Sequence, residues 1–300
     1  MNAVGVAKMT DPRPTNRGIP PSGLEILHEI GRPPSSESRT AAWSICVWTS
    51  ASVIGAFVCW WIVAGHFALT RQVDLYVSLT VNRLASHNAV VNHAIYIASQ
   101  AYVVTGALLV ALVWYCWFND DAEAARERLL LGFGAALIAG VLSRLLQVSL
   151  PMRLRPMHAL DSGFQPLLGI DPALANHWGS FPSDHAVLLF ALVIVVGQRS
   201  RALGLLALLG ALFGTLPRVY LGLHYFSDVA AGAVVGVAFV LLFERFGPRL
   251  LARRGMGWEQ RLPGLFYGTA FLVSFEVATL FNDIRQVGRG IPAILKQFGM

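Results

Sequence analysis

Residues 181–196, FPSDHAVLLFALVIVV, set a proline, a hydroxyl, a carboxylate and an imidazole ahead of eleven consecutive apolar residues. Pro182 suits a first helical turn, where the amide hydrogen it lacks would have no intrahelical partner. The amide hydrogens of Ser183, Asp184 and His185 then point outward at the positive end of the helix dipole. Such an end either receives an anion or is satisfied by ordinary capping from Ser183 or Asp184. Both readings give one architecture, a helix built for lipid with a polar mouth.

The rest of the chain agrees with a lipid setting. Of 300 residues, 55% are hydrophobic and 13% charged, against about 25% charged in soluble domains. Stretches near the roughly 20 apolar residues that cross a bilayer occur at Ala41 to Leu69, Ala89 to Phe118 and Leu129 to Leu150. Shorter ones follow at Phe181 to Gly197, Ala202 to Leu216 and Phe226 to Phe243, with a last at Leu265 to Asn282. The expected fold class is all-α, a polytopic membrane helical bundle of six core helices plus a seventh, C-terminal transmembrane helix.

Residues 1–40 are polar, hold six prolines and read as a flexible tail. Residues 41–246 form the transmembrane unit, and 247–300 a basic loop, the extra span and a C-terminal tail. Cys46, Cys59 and Cys116 all fall in the first two spans, which argues against a disulfide framework. The net charge of +6 comes from arginines scattered between spans, a pattern that speaks against nucleic-acid binding and for membrane orientation. With the N-terminus inside, inner segments carry 14 basic residues and outer segments 8. Three polar clusters then share the outer face: the loop 151–180, the start of FPSDH, and the turn 217–225.

In LPMRLRP (150–156), Arg153 and Arg155 sit ahead of Pro156, which stops a helix. Two guanidiniums there either anchor the interface or grip an anion bidentately. In PRVYLGLHYFSD (217–228), a helix starting near His224 sets His224 and Asp228 on one face. A carboxylate holding one imidazole nitrogen leaves the other as a nucleophile. Gly210 and Gly214, and Gly232 and Gly236, have the spacing that lets membrane helices approach closely.

Together these residues resemble the type 2 phosphatidic acid phosphatase family, whose signature runs Lys, six residues, Arg-Pro; Pro-Ser-Gly-His; and Ser-Arg, five residues, His, three residues, Asp. Here stand Arg155-Pro156, Pro182-Ser183-Asp184-His185, and Arg218, His224 and Asp228 at the same intervals. The resemblance covers about residues 45–245. It implies that His224 attacks phosphorus, Asp228 orients it and His185 protonates the leaving oxygen, which predicts a bell-shaped pH profile. It further implies that Arg155, Arg218 and Ser183 hold the phosphoryl oxygens, with Asp184 alongside. No cofactor is implied, and no metal-ligand spacing such as HExxH is present.

The chain departs from the signature at Val148 for the lysine, Pro217 for the serine and Asp184 for the glycine. Arg153 or Arg144 is the candidate substitute for the lysine, although Arg144 and Glu276 at similar depth also read as a mutually neutralising pair. The Pro-Ser-Asp-His variant is similar to that of some bacterial undecaprenyl-diphosphate phosphatases. The expected function is a metal-independent phosphohydrolase acting on a membrane lipid phosphate or polyprenyl diphosphate, in a bacterial inner membrane with its site on the periplasmic side. A phosphotransferase using the same residues, and a non-catalytic lipid-phosphate binding or transport protein, are the alternatives. Loop residues His158, Asp161, Asp171, His177 and Trp178 are candidates for a lid.

Overall fold

A computed structural model describes residues 68–85, 88–101, 103–119, 122–150, 152–159, 163–171 and 179–282. The expected tail, nearly all of the first span, Asp161, His177, Trp178 and the segment after 282 lie outside the described residues. Among the described residues there are helices and no strands. In chain order they are α1 (Ala68–Leu84), α2 (Ala89–Ser99), α3 (Leu108–Asn119), α4 (Glu123–Ser149), α5 (Asp184–Gly197), α6 (Arg201–Tyr220), α7 (Phe226–Phe246), α8 (Arg249–Arg261) and α9 (Pro263–Ala278). The chain is an integral membrane protein. By length and composition α4, α6 and α7 can each cross a bilayer, and α2 with α3 makes a fourth crossing when taken as one bent span.

Most of the stretch 181–196 becomes α5, a helix of 14 residues. It is apolar all round because it is surrounded: α4, α6 and α7 pack against it, and Val187, Leu189, Leu192 and Val196 are fully buried. The contact with α7 is made backbone to backbone. A β-carbon added at Gly236 would come within 2.1 Å of the Val187 carbonyl oxygen, and one at Gly232 within 2.8 Å of that of Ser183. Gly210 and Gly214 serve differently, making room on α6 for side chains of Leu109, Leu189 and Thr105.

Three expected boundaries are corrected. The span from Ala89 to Phe118 is two helices bent by 43°, with a π turn at Val103–Ala107 between them, a common cause of sharp bends. The fifth span does not end at Pro217: α6 runs through it to Tyr220. Beyond the proline the ladder resumes, with the Leu221 amide donating to the Pro217 carbonyl at 2.9 Å, so Arg218 lies in the last turn of a helix rather than in a loop. The basic segment after the sixth span is also helical, as α8, whose Ala252 and Met256 are buried while Arg253 reaches Glu127 at the start of α4 (3.8 Å).

Candidate active site

His224 follows α6 in a short turn and precedes α7, which begins at Phe226 with Tyr225 as its cap. The expected helical start at His224 is thus displaced by two residues. The imidazole is 2% exposed, and its Nδ1 lies 2.8 Å from the carbonyl oxygen of Ser180. A carbonyl only accepts, so Nδ1 carries the proton and Nε2 keeps its lone pair. Asp228 stands farther off, 3.8 Å from Nδ1, close enough to act through its charge but beyond hydrogen-bonding reach. The group that sets the ring's tautomer is therefore the Ser180 carbonyl, where the expectation had Asp228.

Asp228 is fully buried and spends its oxygens elsewhere. Its Oδ2 accepts the Tyr225 amide at 2.8 Å, closing the first turn of α7 as a capping box does. Its Oδ1 pairs with Arg153 Nη1. Arg153 also donates to Asp74 Oδ2 (2.7 Å) and Ser227 Oγ (3.1 Å), and its guanidinium lies over the Tyr225 ring at 4.2 Å. Asp74, on α1, takes in addition the amide and hydroxyl of Ser227 at 3.0 and 2.6 Å. Asp74 was not anticipated from the sequence, although it is the sole acidic residue between positions 41 and 119, and an isolated carboxylate beside a span usually serves a function.

Two residues on, Arg155 has a different environment. It is 3% exposed, and among its partners are neutral carbonyl oxygens, those of Leu223 and, at 3.2 Å, Gly179. The consequence appears in the ionisation of the two guanidiniums. Burial works against the charge of Arg153, but Asp228 and Asp74 outweigh it and lift the group above its ordinary value. For Arg155 burial prevails over Asp184 and Asp228, with Arg144 adding to it, and the group is lowered. A guanidinium remains charged regardless, so Arg155 is a buried cation. An anion beside it would be stabilised.

On the far side of the same loop, Ser183 caps α5, its Oγ accepting the Ala186 amide at 3.5 Å, while its own amide donates to the Asp228 carbonyl at 3.2 Å. Asp184, expected among the phosphate-binding groups, turns to its neighbour instead: His185 Nδ1 lies 2.7 Å from Asp184 Oδ1. The other oxygen, Oδ2, faces Arg144 at 3.9 Å. Arg144 also donates to Gln147, which in turn bonds the Pro182 carbonyl (3.2 Å). Among the described residues no ion pair joins Arg144 to Glu276, which corrects the mutual-neutralisation reading. Val148, at the position of the family lysine, is 58% exposed and faces outward. Neither candidate substitute stands alone: Arg153 is held by two carboxylates and Arg144 faces a third.

The segment 179–183 ties the halves together, giving its Ser180 carbonyl to His224 and, with Ser183, the cap of the helix that carries His185. Arg218, 7% exposed, closes the other side from the end of α6, and its carbonyl accepts the amides of Leu223 (2.9 Å) and His224 (3.3 Å). Burial is the main influence on His224 and holds it below the ordinary imidazole value, with the charges of Arg155 and Arg218 acting the same way and Asp228 opposing. The ring is neutral at pH 7. Among the described residues no group of three or more His, Cys, Asp or Glu gathers as a metal site would require.

Residues 128–251 match the family model of the PAP2 superfamily. The chain carries a PAP2 superfamily domain. An undecaprenyl-diphosphatase of Bacillus subtilis is 26% identical over 170 residues, which cover 57% of this chain and 82% of that protein. A lipid A 1-diphosphate synthase of Escherichia coli is 25% identical over 199 residues, covering 63% and 83%. A lipid A 4'-phosphatase of Bacteroides thetaiotaomicron is 40% identical over 114 residues, covering 34% and 51%. The PAP2 domain contains His185, His224, Asp228 and the arginines of the site, whereas Asp74 on α1 and all of α9 lie outside it.

Proposed function

We propose that this protein is a phosphohydrolase that removes phosphate from a membrane lipid phosphate or polyprenyl diphosphate through a phosphohistidine at His224. The observation that carries the proposal is the tautomer of His224, whose Nδ1 proton is committed to the Ser180 carbonyl so that Nε2 is the nucleophile. Arg155, Arg218 and the Ser183 hydroxyl hold the phosphoryl oxygens, where stabilisation of charge makes up most of the catalysis.

In the first step Nε2 of His224 attacks phosphorus, the bond to the leaving oxygen breaks with its electron pair, and that oxygen takes a proton from Nε2 of His185. Asp184 orients His185 through Nδ1 and accommodates the charged ring before transfer. In the second step the now neutral His185 accepts a proton from water as the water oxygen attacks phosphorus. The P–N bond breaks and inorganic phosphate leaves. Asp228 acts behind this pair, capping α7 and anchoring Arg153.

The arginine bias supports an N-terminus in the cytoplasm and a site on the periplasmic side of a bacterial inner membrane, with α9 as an added span. The Bacillus and Bacteroides relatives support hydrolysis of lipid phosphates. The Escherichia coli relative, named a synthase of a diphosphate, favours a second reading in which an alcohol or phosphate replaces water in the second step.

The test is phosphate release by detergent-purified protein from phosphatidate, phosphatidylglycerophosphate and undecaprenyl diphosphate, with and without chelator. Expected is chelator-insensitive release together with a 32P label that is stable to alkali, labile to acid and absent from His224→Ala. Movement of the 32P label onto an added lipid acceptor in place of phosphate release would establish the transferase reading, and no turnover of any lipid phosphate would overturn both.

A further inference from the structure

A groove of about 270 Å³ runs along the bundle between α4 and α5. Its polar mouth is formed by Arg144, Asp184 and His185, and its walls farther in are apolar, with Gly140, Leu188 and Phe281 among them. On α4, Gly140 lies about 6 Å from Arg144 along the helix axis, and on α5 Leu188 lies about 4.5 Å from His185. Because α5 begins at the site and α4 ends near it, both displacements lead away from the phosphate-handling groups and into the hydrocarbon zone. Val141 and Leu145, at its outer lip, are 51% and 54% exposed on the lipid side of α4.

The third wall comes from outside the PAP2 domain. After α9 the backbone turns sharply, with Leu280 at φ 53° and Phe281 at φ 58°, a left-handed conformation uncommon for any residue with a β-carbon. The turn is held by the amides of Leu280 and Phe281, which donate to the carbonyls of Val277 (3.0 Å) and Glu276 (2.6 Å), and by burial of Leu280 in the core. Strained turns of this kind concentrate at ligand clamps. Here the turn brings Phe281 to the floor of the groove, where a β-carbon on Gly140 would meet its ring at 3.9 Å.

We infer that this groove holds the hydrocarbon chain of the lipid whose phosphate reacts between His185 and His224, and that the Leu280–Phe281 turn sets which chains fit. The inference rests on the reading of the site as a lipid phosphatase and adds the place of the lipid tail. Its support is continuity: His185 belongs to both the reaction site and the groove mouth, so a phosphate delivered there leaves its apolar substituent in the only direction the groove offers it, alongside Gly140 and Leu188.

The experiment fills the groove without touching the chemistry. Gly140→Leu projects into it from α4, and Gly140→Ala is the milder control, since its β-carbon would make only ordinary contact with Leu188 at 3.4 Å. Kinetics are compared on a long polyprenyl diphosphate and on p-nitrophenyl phosphate. Expected is a KM raised at least tenfold for the long chain in Gly140→Leu, a small rise in Gly140→Ala, and no change for p-nitrophenyl phosphate in either. Phe281→Ala is expected to shift preference toward bulkier chains. Equal loss on both substrates, or no change on the long chain, would overturn the inference, the latter leaving the groove to bulk lipid or a second copy of the protein.

A separate readout isolates this claim from the catalytic one. A lipid phosphate carrying a diazirine partway along its chain is photolysed with His224→Ala protein, which needs no turnover. Adducts on Leu188, Leu280 or Phe281 are expected, and adducts confined to other helices would refute the assignment even if hydrolysis itself is confirmed.

Discussion

The turn around His224 and the start of α5 around His185 each present one buried imidazole held through Nδ1, yet the partners differ in charge. At His224 the partner is a neutral carbonyl, and burial together with Arg155 and Arg218 opposes a positive ring. At His185 the partner is a carboxylate. In the proposed mechanism role follows from what accepts the Nδ1 proton: a carbonyl leaves a neutral nucleophile, and a carboxylate suits a proton donor.

The largest expected way to break this contrast is His224→Ala, which should reduce phosphate release by about 10⁴-fold or more. Residual turnover above one per cent would mean that another group attacks phosphorus. His185→Ala should cost about 10²- to 10⁴-fold on a lipid substrate and much less on p-nitrophenyl phosphate, whose leaving group needs no proton. Asp184→Asn should follow the same substrate dependence at about 10- to 100-fold, and a uniform loss across leaving groups would reduce Asp184 to a helix cap.

Arg153→Ala probes the support behind His224. It strands Asp74 and Asp228 in the interior, a change worth about 3–5 kcal/mol when a buried pair is broken, and it should appear as a lowered Tm in detergent. An unchanged Tm would show that the α1 contact is dispensable. The smallest test sharpens the comparison by pH. Because the folded protein holds His224 below the ordinary value of 6.5, the acid limb of kcat/KM should lie below pH 6.5 and follow deprotonation of one group. The same shift has a stability sign: between the two values the unfolded chain binds the extra proton, so stability falls as pH drops below about 6.5. An acid limb above 7 would contradict a neutral buried nucleophile.

Much of this candidate site was legible because its groups are neighbours along the chain. Pro182 through His185, and His224 with Asp228, declare themselves within a few residues, and the membrane setting follows from apolar runs alone. What escaped reading depends on distant partners. Asp74 has its meaning only through Arg153 and Ser227, which lie far along the chain, and no pattern near it announces the pairing. The departure at Asp184 takes its meaning from its neighbours in space, the His185 ring and the more distant Arg144. Pro217 was overruled since a long helix packed on both sides tolerates one missing amide, and the break between α2 and α3 was hidden inside unbroken hydrophobicity.

One consequence follows from the bare face that α7 turns to α5. The approach of α7, which follows the His224 turn, to the helix bearing His185 is set by two missing β-carbons, at Gly232 and Gly236. A single methyl group there would act as a shim between the two helices and, in the proposed mechanism, widen the gap between attacking nitrogen and proton donor. Since a displacement near 1 Å can cost about 10²-fold in rate, the gauge of the proposed reaction would rest on two residues that face a helix backbone.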